Sequence, residues 1–400
     1  MDRITLEEAI ERMCDERTMT DAEEVSIHDC IGRVLAEDFV ARITQPPFPR
    51  SAMDGYAVHS EDIIEASKDH PVCLKVQGKV CAGDEPAILS ENGHAIRIMT
   101  GAPIPEGADC VVKQENTDYG EEIVRVFAPV ERNQNCCPAG EDFYTGEKLI
   151  EKGTVLNAYA VAVLAGNGVE TVRVRKKLKA AVISSGDELI QPGKPLSPGK
   201  IYDTNLFFLR ARCMQLGCEV VQAETVGDRE DEIHDAIQRA VEKADLIITT
   251  GGVSVGQKDL ISEVVSKHKN TEVLFHGVNI KPGMPTLFAI VEGKPFLGLS
   301  GNPYSASAVF ELMGVLLIAK LQGKREYTHK VQYAKLENGF SKARPCRRIV
   351  RGCYDGEKVI LSKFQKNGQV RAGINSNCLV ELEEGKECVP ADAMVKIYLL

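Results

Sequence analysis

Several common signatures are missing from this chain, and each absence removes a class of function. Its thirteen cysteines include no Cys-x-x-Cys spacing, and the adjacent pair Cys136 and Cys137 is no substitute, so a structural zinc site has no ligand framework and the thiols are expected to be reduced. The opening residues, Met1 to Glu8, carry neither the basic stretch nor the apolar run of a secretory signal, which predicts a cytoplasmic chain. The longest apolar runs, Ala158 to Ala165 and Leu312 to Ala319, are too short to cross a bilayer, so no membrane association is expected. A net charge of −10 excludes nucleic-acid binding through general basicity. No Gly-x-Gly-x-x-Gly follows the first strand of the α/β region, which leaves a Rossmann dehydrogenase unsupported.

What is present is a chain of 400 residues, 44% hydrophobic, too long for one ordinary core and rich enough to bury at least two. Residues 1–40 read as helical: Thr5 and Glu8 form a capping-box pair, Leu6, Ala9, Ile10 and Met13 follow at helical spacing, and a second short helix is predicted through Ile31 to Ala36. The stretch Gln45 to Val58 contains three prolines, which forbid helix and predict an ordered loop or edge. From Val72 to Val130 short strands alternate with Gly, Pro and Asp turns, the pattern of a small β domain. Val155 to Val169 reads as an apolar helix that could rejoin the N-terminal helices, making the β domain an insertion.

From Leu178 strands and helices alternate, which predicts a doubly wound parallel sheet. Its most informative stretch is Leu246 to Asp259. A β-branched run ends in Gly251, Gly252 and Gly256, with Ser254 between them and Asp259 in the helical turn that follows. Glycines allow close backbone approach, and free N–H groups at a helix start attract anions; the plainer reading is a tight turn with a carboxylate complementing the helix dipole. Equivalent junctions occur at Ser184 to Leu189, at Asp228 and at Ser300 to Ser305. For Asp228 the plainer alternative is an N-cap of the next helix. In an open α/β sheet all these turns crowd one edge, outside the carboxyl ends of the strands. Carboxylates beside anion-binding turns are reconciled by a divalent cation: Mg²⁺ uses few carboxylates and completes its shell with phosphate oxygens and water, which points to phosphate-anhydride chemistry. Lys281-Pro282-Gly283-Met284-Pro285 is a rigid cationic turn. Residues 331–400 read as a small β-barrel or sandwich carrying Arg344, Arg347, Arg348, Arg351 and Arg371, a solvated cluster unless it folds over the sheet edge to grip phosphate.

Laid out in order, these residues resemble the molybdopterin molybdenumtransferases, the family that includes the C-terminal enzymatic domain of gephyrin. The matches are Pro46-Pro47-Phe48 with Ser51 to Ala57, Thr100-Gly101-Ala102, Gly140-Glu141-Asp142, Ser185-Gly186-Asp187-Glu188-Leu189, Thr250 to Gly256 with Asp259, Lys281-Pro282-Gly283 and Gly301-Asn302-Pro303. The resemblance implies a multidomain α/β protein: a split helical domain (1–43 and 139–176), an inserted β domain (44–138), a central molybdopterin-binding domain (177–328) related to molybdopterin adenylyltransferases, and a C-terminal β-barrel domain (329–400). It implies Mg²⁺-dependent insertion of molybdate into adenylylated molybdopterin with release of AMP. Asp54, Thr100, Asp142, Glu188, Asp228, Asp259 and Lys281 match catalytic positions, with Glu188, Asp228 and Asp259 as metal ligands and Lys281 attracting molybdate. Ser185, Gly186, Gly251, Gly252, Ser254, Gly256, Gly301, Asn302, Pro303 and Ser305 would cradle phosphate and pterin. A homodimer is implied, with Asp54 and Thr100 reaching into the partner's pocket; a molybdopterin adenylyltransferase and recipient molybdoenzymes are the other implied partners.

The chain departs from the family pattern at Met284, where a lysine is usual, at Ser300, where proline is usual, at Arg371-Ala372, near a usual pair of serines, and at Cys137, often basic. These departures leave open an altered paralogue that binds molybdopterin or its nucleotide without turnover, as scaffold or carrier. The central domain alone would also suit a simple Mg²⁺ nucleotidyltransferase.

Overall fold

The computed structural model describes residues 3–15, 18–253, 260–341, 346–385 and 388–400. They form two compact units, one of residues 1–37, 152–158 and 171–400, the other of residues 38–151 and 159–170. Ser254, Gly256, Asp259 and Arg344 lie outside the described residues.

The first unit is built on a six-stranded sheet in the order Glu219–Val226, Lys179–Ser185, Leu246–Thr250, Lys294–Leu299, Leu287–Val291, Thr271–His276. The first four strands are parallel, and the last two add an antiparallel edge that the sequence pattern does not anticipate. The strands' two-residue alternation serves two cores. Ala180, Val182, Leu246, Ile248, Leu297 and Leu299 pack with the helices Asn205–Gln215 and Pro303–Leu321 and with the N-terminal helix Leu6–Cys14. Ala181, Ile183, Ile247 and Phe296 pack on the other face against Glu230–Lys243 and Leu260–Lys267. Because both faces are covered, the central strand Leu246–Thr250 is buried at every residue, which is why its sequence is a continuous apolar run without polar alternation. Each large side chain so buried contributes about 1.5–3 kcal/mol. The sheet's topological switch lies between Lys179–Ser185 and Leu246–Thr250: the chain moves outward from the first to Glu219–Val226, then returns on the other side.

The helix Pro303–Leu321 is long and apolar enough to cross a membrane by composition, yet 78% of it is buried in the protein core. Its middle turn, Phe310–Gly314, is a π-helix. At the C-terminal end, Val331–Leu336, Arg347–Tyr354, Lys358–Leu361, Cys378–Leu382 and Met394–Leu399 close into a five-stranded barrel, since Arg347–Tyr354 pairs with Cys378–Leu382 as well as with Lys358–Leu361. A two-residue strand, Ile280–Lys281, joins this barrel alongside Arg347–Arg348.

The N-terminal reading needs correction. Leu6–Cys14 is a helix with both halves of the Thr5–Glu8 capping box formed, but residues 18–40 hold no α-helix, only a three-residue 3-10 turn at Ile27–Asp29. Ala22–Ser26 is a strand pairing antiparallel with Thr171–Arg175, and the expected helix through Ile31 to Ala36 is replaced by bridges from Val34 to Val155 and Leu35 to Val174. The β-branched residues of this stretch are satisfied by a ladder whose partner is far away in the sequence, a pairing invisible to local periodicity.

The second unit carries a five-stranded sheet in the order Cys110–Lys113, Gly55–Val58, His94–Ile98, Val72–Val80, Ile123–Val126. Gly55–Val58, expected as loop or edge, is an interior strand with neighbours on both sides and every residue buried. Gly55 is required there: a Cβ would lie 1.9 Å from Val112 O. The apolar helix is shorter than expected, Ala158–Gly166, and buries only Leu164. Asn167 fixes its end, donating to Val163 O at 2.8 Å and accepting from the Arg42 N–H at 2.9 Å.

Gly55→Ala should therefore destabilise the protein by about 3 kcal/mol or more, read as a lowered unfolding midpoint. Gly78→Ala in the same sheet, where an added Cβ meets nothing within 4 Å, should change stability by less than about 0.5 kcal/mol. Equal losses in the two variants would refute the steric assignment.

Candidate functional site

Four chain segments meet at the carboxyl ends of the parallel strands, at the switch point where an open α/β sheet binds ligands. They enclose a cavity of about 630 Å³, within the usual range for small-molecule sites. Its walls are Ser184 to Gly186 with Glu188, Tyr202 to Asn205 with Asp228, Thr250 to Val253, and Ser300 to Pro303, with Gly368 and Val370 from the C-terminal region.

Glycine sets how closely these segments approach. Gly251 has φ +96°, and a Cβ on it would stand 2.1 Å from Ser185 O; one on Gly252, at φ +60°, would stand 2.7 Å from Ile261 Cγ1. A Cβ on Gly301 would come within 3.3 Å of Gly251 Cα. The two glycine turns are thus in direct backbone contact, and only residues without a side chain permit it. Gly186 works differently: its open face receives the folded-back Glu188 carboxylate, whose Oε2 lies 2.7 Å from where a Cβ would be.

Side chains tie the turns together. The Ser185 hydroxyl donates to Asp228 Oδ1 at 2.7 Å, and the Asp228 N–H donates to Asp187 Oδ1 at 3.1 Å. The N-cap expected of Asp228 is not what the carboxylate does: Arg229 occupies the cap position of Glu230–Lys243 without a side-chain cap bond. Asp203, only 2% exposed, accepts from the Thr225 hydroxyl at 2.8 Å and the Leu206 N–H at 3.0 Å. Asn205 donates to Thr250 Oγ1 and Gly301 O, each at 2.9 Å, and the Thr250 hydroxyl donates to Ser300 O at 3.0 Å.

Of the residues singled out from the sequence, Ser185, Gly186, Glu188, Asp228, Gly251, Gly252, Gly301, Asn302 and Pro303 line this one cavity. Ser305 is buried in the following helix and does not line it. Lys281 is exposed on the strand Ile280–Lys281 and is not among the lining residues either, although Pro285 is. Asp203 and Asn205 are the lining residues that sequence reasoning misses; the signal that could find them is an Asp and an Asn at the start of a further helix on the same edge.

The cavity's electrostatics are lopsided. Glu188, Asp203 and Asp228 face it, and no lysine or arginine occurs among its described lining residues. No group of three or more His, Cys, Asp or Glu is arranged to hold a metal among the described residues, so an ion here would rest on one or two carboxylates and complete its shell from ligand and water. That donor set suits Mg²⁺. Of the arginine cluster, Arg347 pairs with Glu7 at 2.6 Å and Glu381 at 3.2 Å, and Arg371 stacks 4.0 Å over Phe364. Arg351, 4% exposed, lies 3.7 Å over the ring of Tyr304 in the helix that opens at Pro303 and donates to Gln369 O. Burial pushes the Tyr304 hydroxyl well above its ordinary pKa, so it remains a neutral donor, to Ile349 O at 2.9 Å.

In the second unit Asp54 and Thr100 are brought together. Asp54 Oδ1 accepts from both the N–H and the hydroxyl of Thr100, each at 2.7 Å. These bonds, the backbone one first, hold the Asp54 carboxyl below the usual range and keep it ionised. Asp142 is exposed on a turn fixed by its own N–H donating to Gln45 O at 3.0 Å.

Two family profiles cover most of the chain: the MoeA N-terminal region, domains I and II, matches residues 4–168, and a probable molybdopterin binding domain matches residues 181–320. A molybdopterin molybdenumtransferase of Staphylococcus aureus is 37% identical over 400 residues, covering 99% of this chain and 95% of the relative. That of Haemophilus influenzae is 36% identical over 402 residues, covering 98% of each. The crystal structure of a molybdopterin biosynthesis MoeA protein from Pyrococcus horikoshii superposes with a TM-score of 0.85 at 32% identity, covering 100% of this chain and 99% of the other. With full-length identity of this order, the two matched regions and the shared fold, the chain belongs to the molybdopterin molybdenumtransferases, transferases of molybdenum cofactor biosynthesis.

Proposed function

We propose that the chain inserts molybdenum, supplied as molybdate, into adenylylated molybdopterin and releases AMP with the help of Mg²⁺. One observation carries this reading: carboxylates and anion-seeking glycine turns line the same cavity with no cationic side chain among the described lining residues. A phosphate anhydride is compatible with such a wall only alongside a divalent cation. Glu188 and Asp228 would hold it, joined by Asp259 on the strength of the resemblance; when bound, Mg²⁺ neutralises phosphate charge and polarises a phosphoryl oxygen.

The chain's own residues do the rest. The backbone N–H groups of Gly252 and Gly301 bind phosphate oxygens, while the Gly251 N–H, donating to Leu299 O, and the Asn302 N–H, donating to the Ser300 hydroxyl, fix the turns that orient the anhydride. The Ser185 hydroxyl, by donating to Asp228, sets which carboxylate oxygen faces the cavity. Lys281 supplies positive charge for the incoming molybdate. The chain works as a homodimer in which Asp54 and Thr100 of one copy serve the site of the other; Asp142 is the further acidic residue that the resemblance assigns to the reaction. The nearly all-apolar helix Ala158–Gly166, with Tyr159 85% exposed, supports a second copy as its cover. Binding without turnover is the second reading, favoured by Met284 at the position where a lysine would add charge.

Three outcomes are expected. Purified protein given adenylylated molybdopterin and Mg²⁺ should release AMP only when molybdate is added, chelation should abolish release, and Glu188→Gln or Asp228→Asn should slow it at least about 100-fold. Tight substrate binding with no AMP release would establish the carrier reading instead. Light scattering should give twice the mass of one chain, and the double substitution Tyr159→Glu with Val163→Glu should halve it; a monomeric wild type would remove the shared site. Met284→Lys should strengthen molybdate binding in equilibrium dialysis, and unchanged affinity would place the oxyanion elsewhere.

A further inference from the structure

The orientation of one buried amide is dictated by its neighbours. Asn205 Nδ2 lies 2.9 Å from Thr250 Oγ1 and 2.9 Å from Gly301 O. The carbonyl can only accept. The Thr250 hydroxyl has its proton committed to Ser300 O, 3.0 Å away, so toward Asn205 it also offers lone pairs only. Both contacts therefore demand the NH₂ end of the amide, because the flipped amide would set an oxygen against two oxygens.

This leaves Oδ1. It has no hydrogen-bond partner among the described residues, and it is not sealed off from open space. Asn205 is only 8% exposed and lines two adjoining cavities: the site described above, and a more apolar one of about 420 Å³ walled by Phe208, Ala308 and Ile374. Thr204, Asn205, Pro303 and Val370 belong to both. A nearly buried acceptor with a fixed direction is costly when unpaired and discriminating when paired, since a ligand lacking the matching donor leaves it unsatisfied.

We infer that Asn205 is a specificity-determining residue whose Oδ1 accepts a hydrogen bond from an N–H of a bound heterocycle, a ring N–H or an exocyclic amino group. This rests on the reading that the cavity takes adenylylated molybdopterin, whose pterin and adenine both carry such donors and whose ring faces suit the apolar wall. Asn205 thereby couples ligand choice to the glycine turns, since the same amide that meets the ring holds Thr250 and Gly301.

Calorimetric titration of the full chain with two ligand pairs tests this: AMP against purine riboside 5′-monophosphate, which lacks the amino group, and pterin-6-carboxylate against its 2-desamino-3-methyl analogue, which lacks both pyrimidine-ring donors. In one pair, deleting the donor should weaken binding to the unmodified protein about fivefold or more, and Asn205→Ala should reduce that discrimination below about twofold. The responding pair identifies the ring as adenine or pterin. If the parent ligands bind and neither pair discriminates, the assignment to Asn205 is wrong while the cavity reading stands. If neither parent binds, the cavity reading itself fails and takes this inference with it. The ligand-side comparison on unmodified protein does not depend on the variant's folding.

Discussion

Backbone touching backbone at the switch point of the central sheet is the constraint from which the site follows. Gly251 lies against Ser185 O, and Gly301 lies against Gly251. A side chain on Gly251 would collide with Ser185 O, and one on Gly301 would press on Gly251. Because the turns nest without side chains, their N–H groups can be directed at a ligand, and the polar groups that hold them must come from outside the turns. Asn205 fills that role by holding Thr250 and Gly301, while Asp203, accepting from Thr225, and Ser185, donating to Asp228, fix the segments alongside. The site is preorganised by packing between chain segments that are themselves too short to be rigid.

How much of this could be read in advance depended on whether the determining interaction was local. The N-terminal helix Leu6–Cys14 is announced by its capping box, and from Leu178 strands and helices alternate as the pattern predicts, because strand alternation and helical spacing are properties of neighbours. The glycine turns were legible for the same reason, and topology alone sends them to one edge. Family resemblance, borne out by full-length relatives, supplied roles for residues whose chemistry was not apparent from spacing.

What escaped was decided by distant partners. Ala22–Ser26 is a strand only because Thr171–Arg175 is there to receive it. Gly55–Val58 is interior because strands arrive on both sides, and its glycine is a steric requirement imposed by Val112. The antiparallel strand Leu287–Val291 was missed between two recognisable turns. Asp228 resembled a cap until the Ser185 hydroxyl claimed its carboxylate. Asn205 opens the helix Asn205–Gln215, and nothing in its immediate sequence surroundings indicates that its amide reaches two other turns.

The helix Pro303–Leu321 carries a consequence for biogenesis. Its 19 residues have a mean hydropathy of 1.5 and are accepted only because the sheet covers them. Until Lys179–Ser185, Leu246–Thr250 and Lys294–Leu299 have assembled, the growing polypeptide displays a segment that matches a bilayer in length and oiliness. All three of those strands precede the helix in the chain, the last ending only three residues before it, so the sheet face that shields it waits on no element made later.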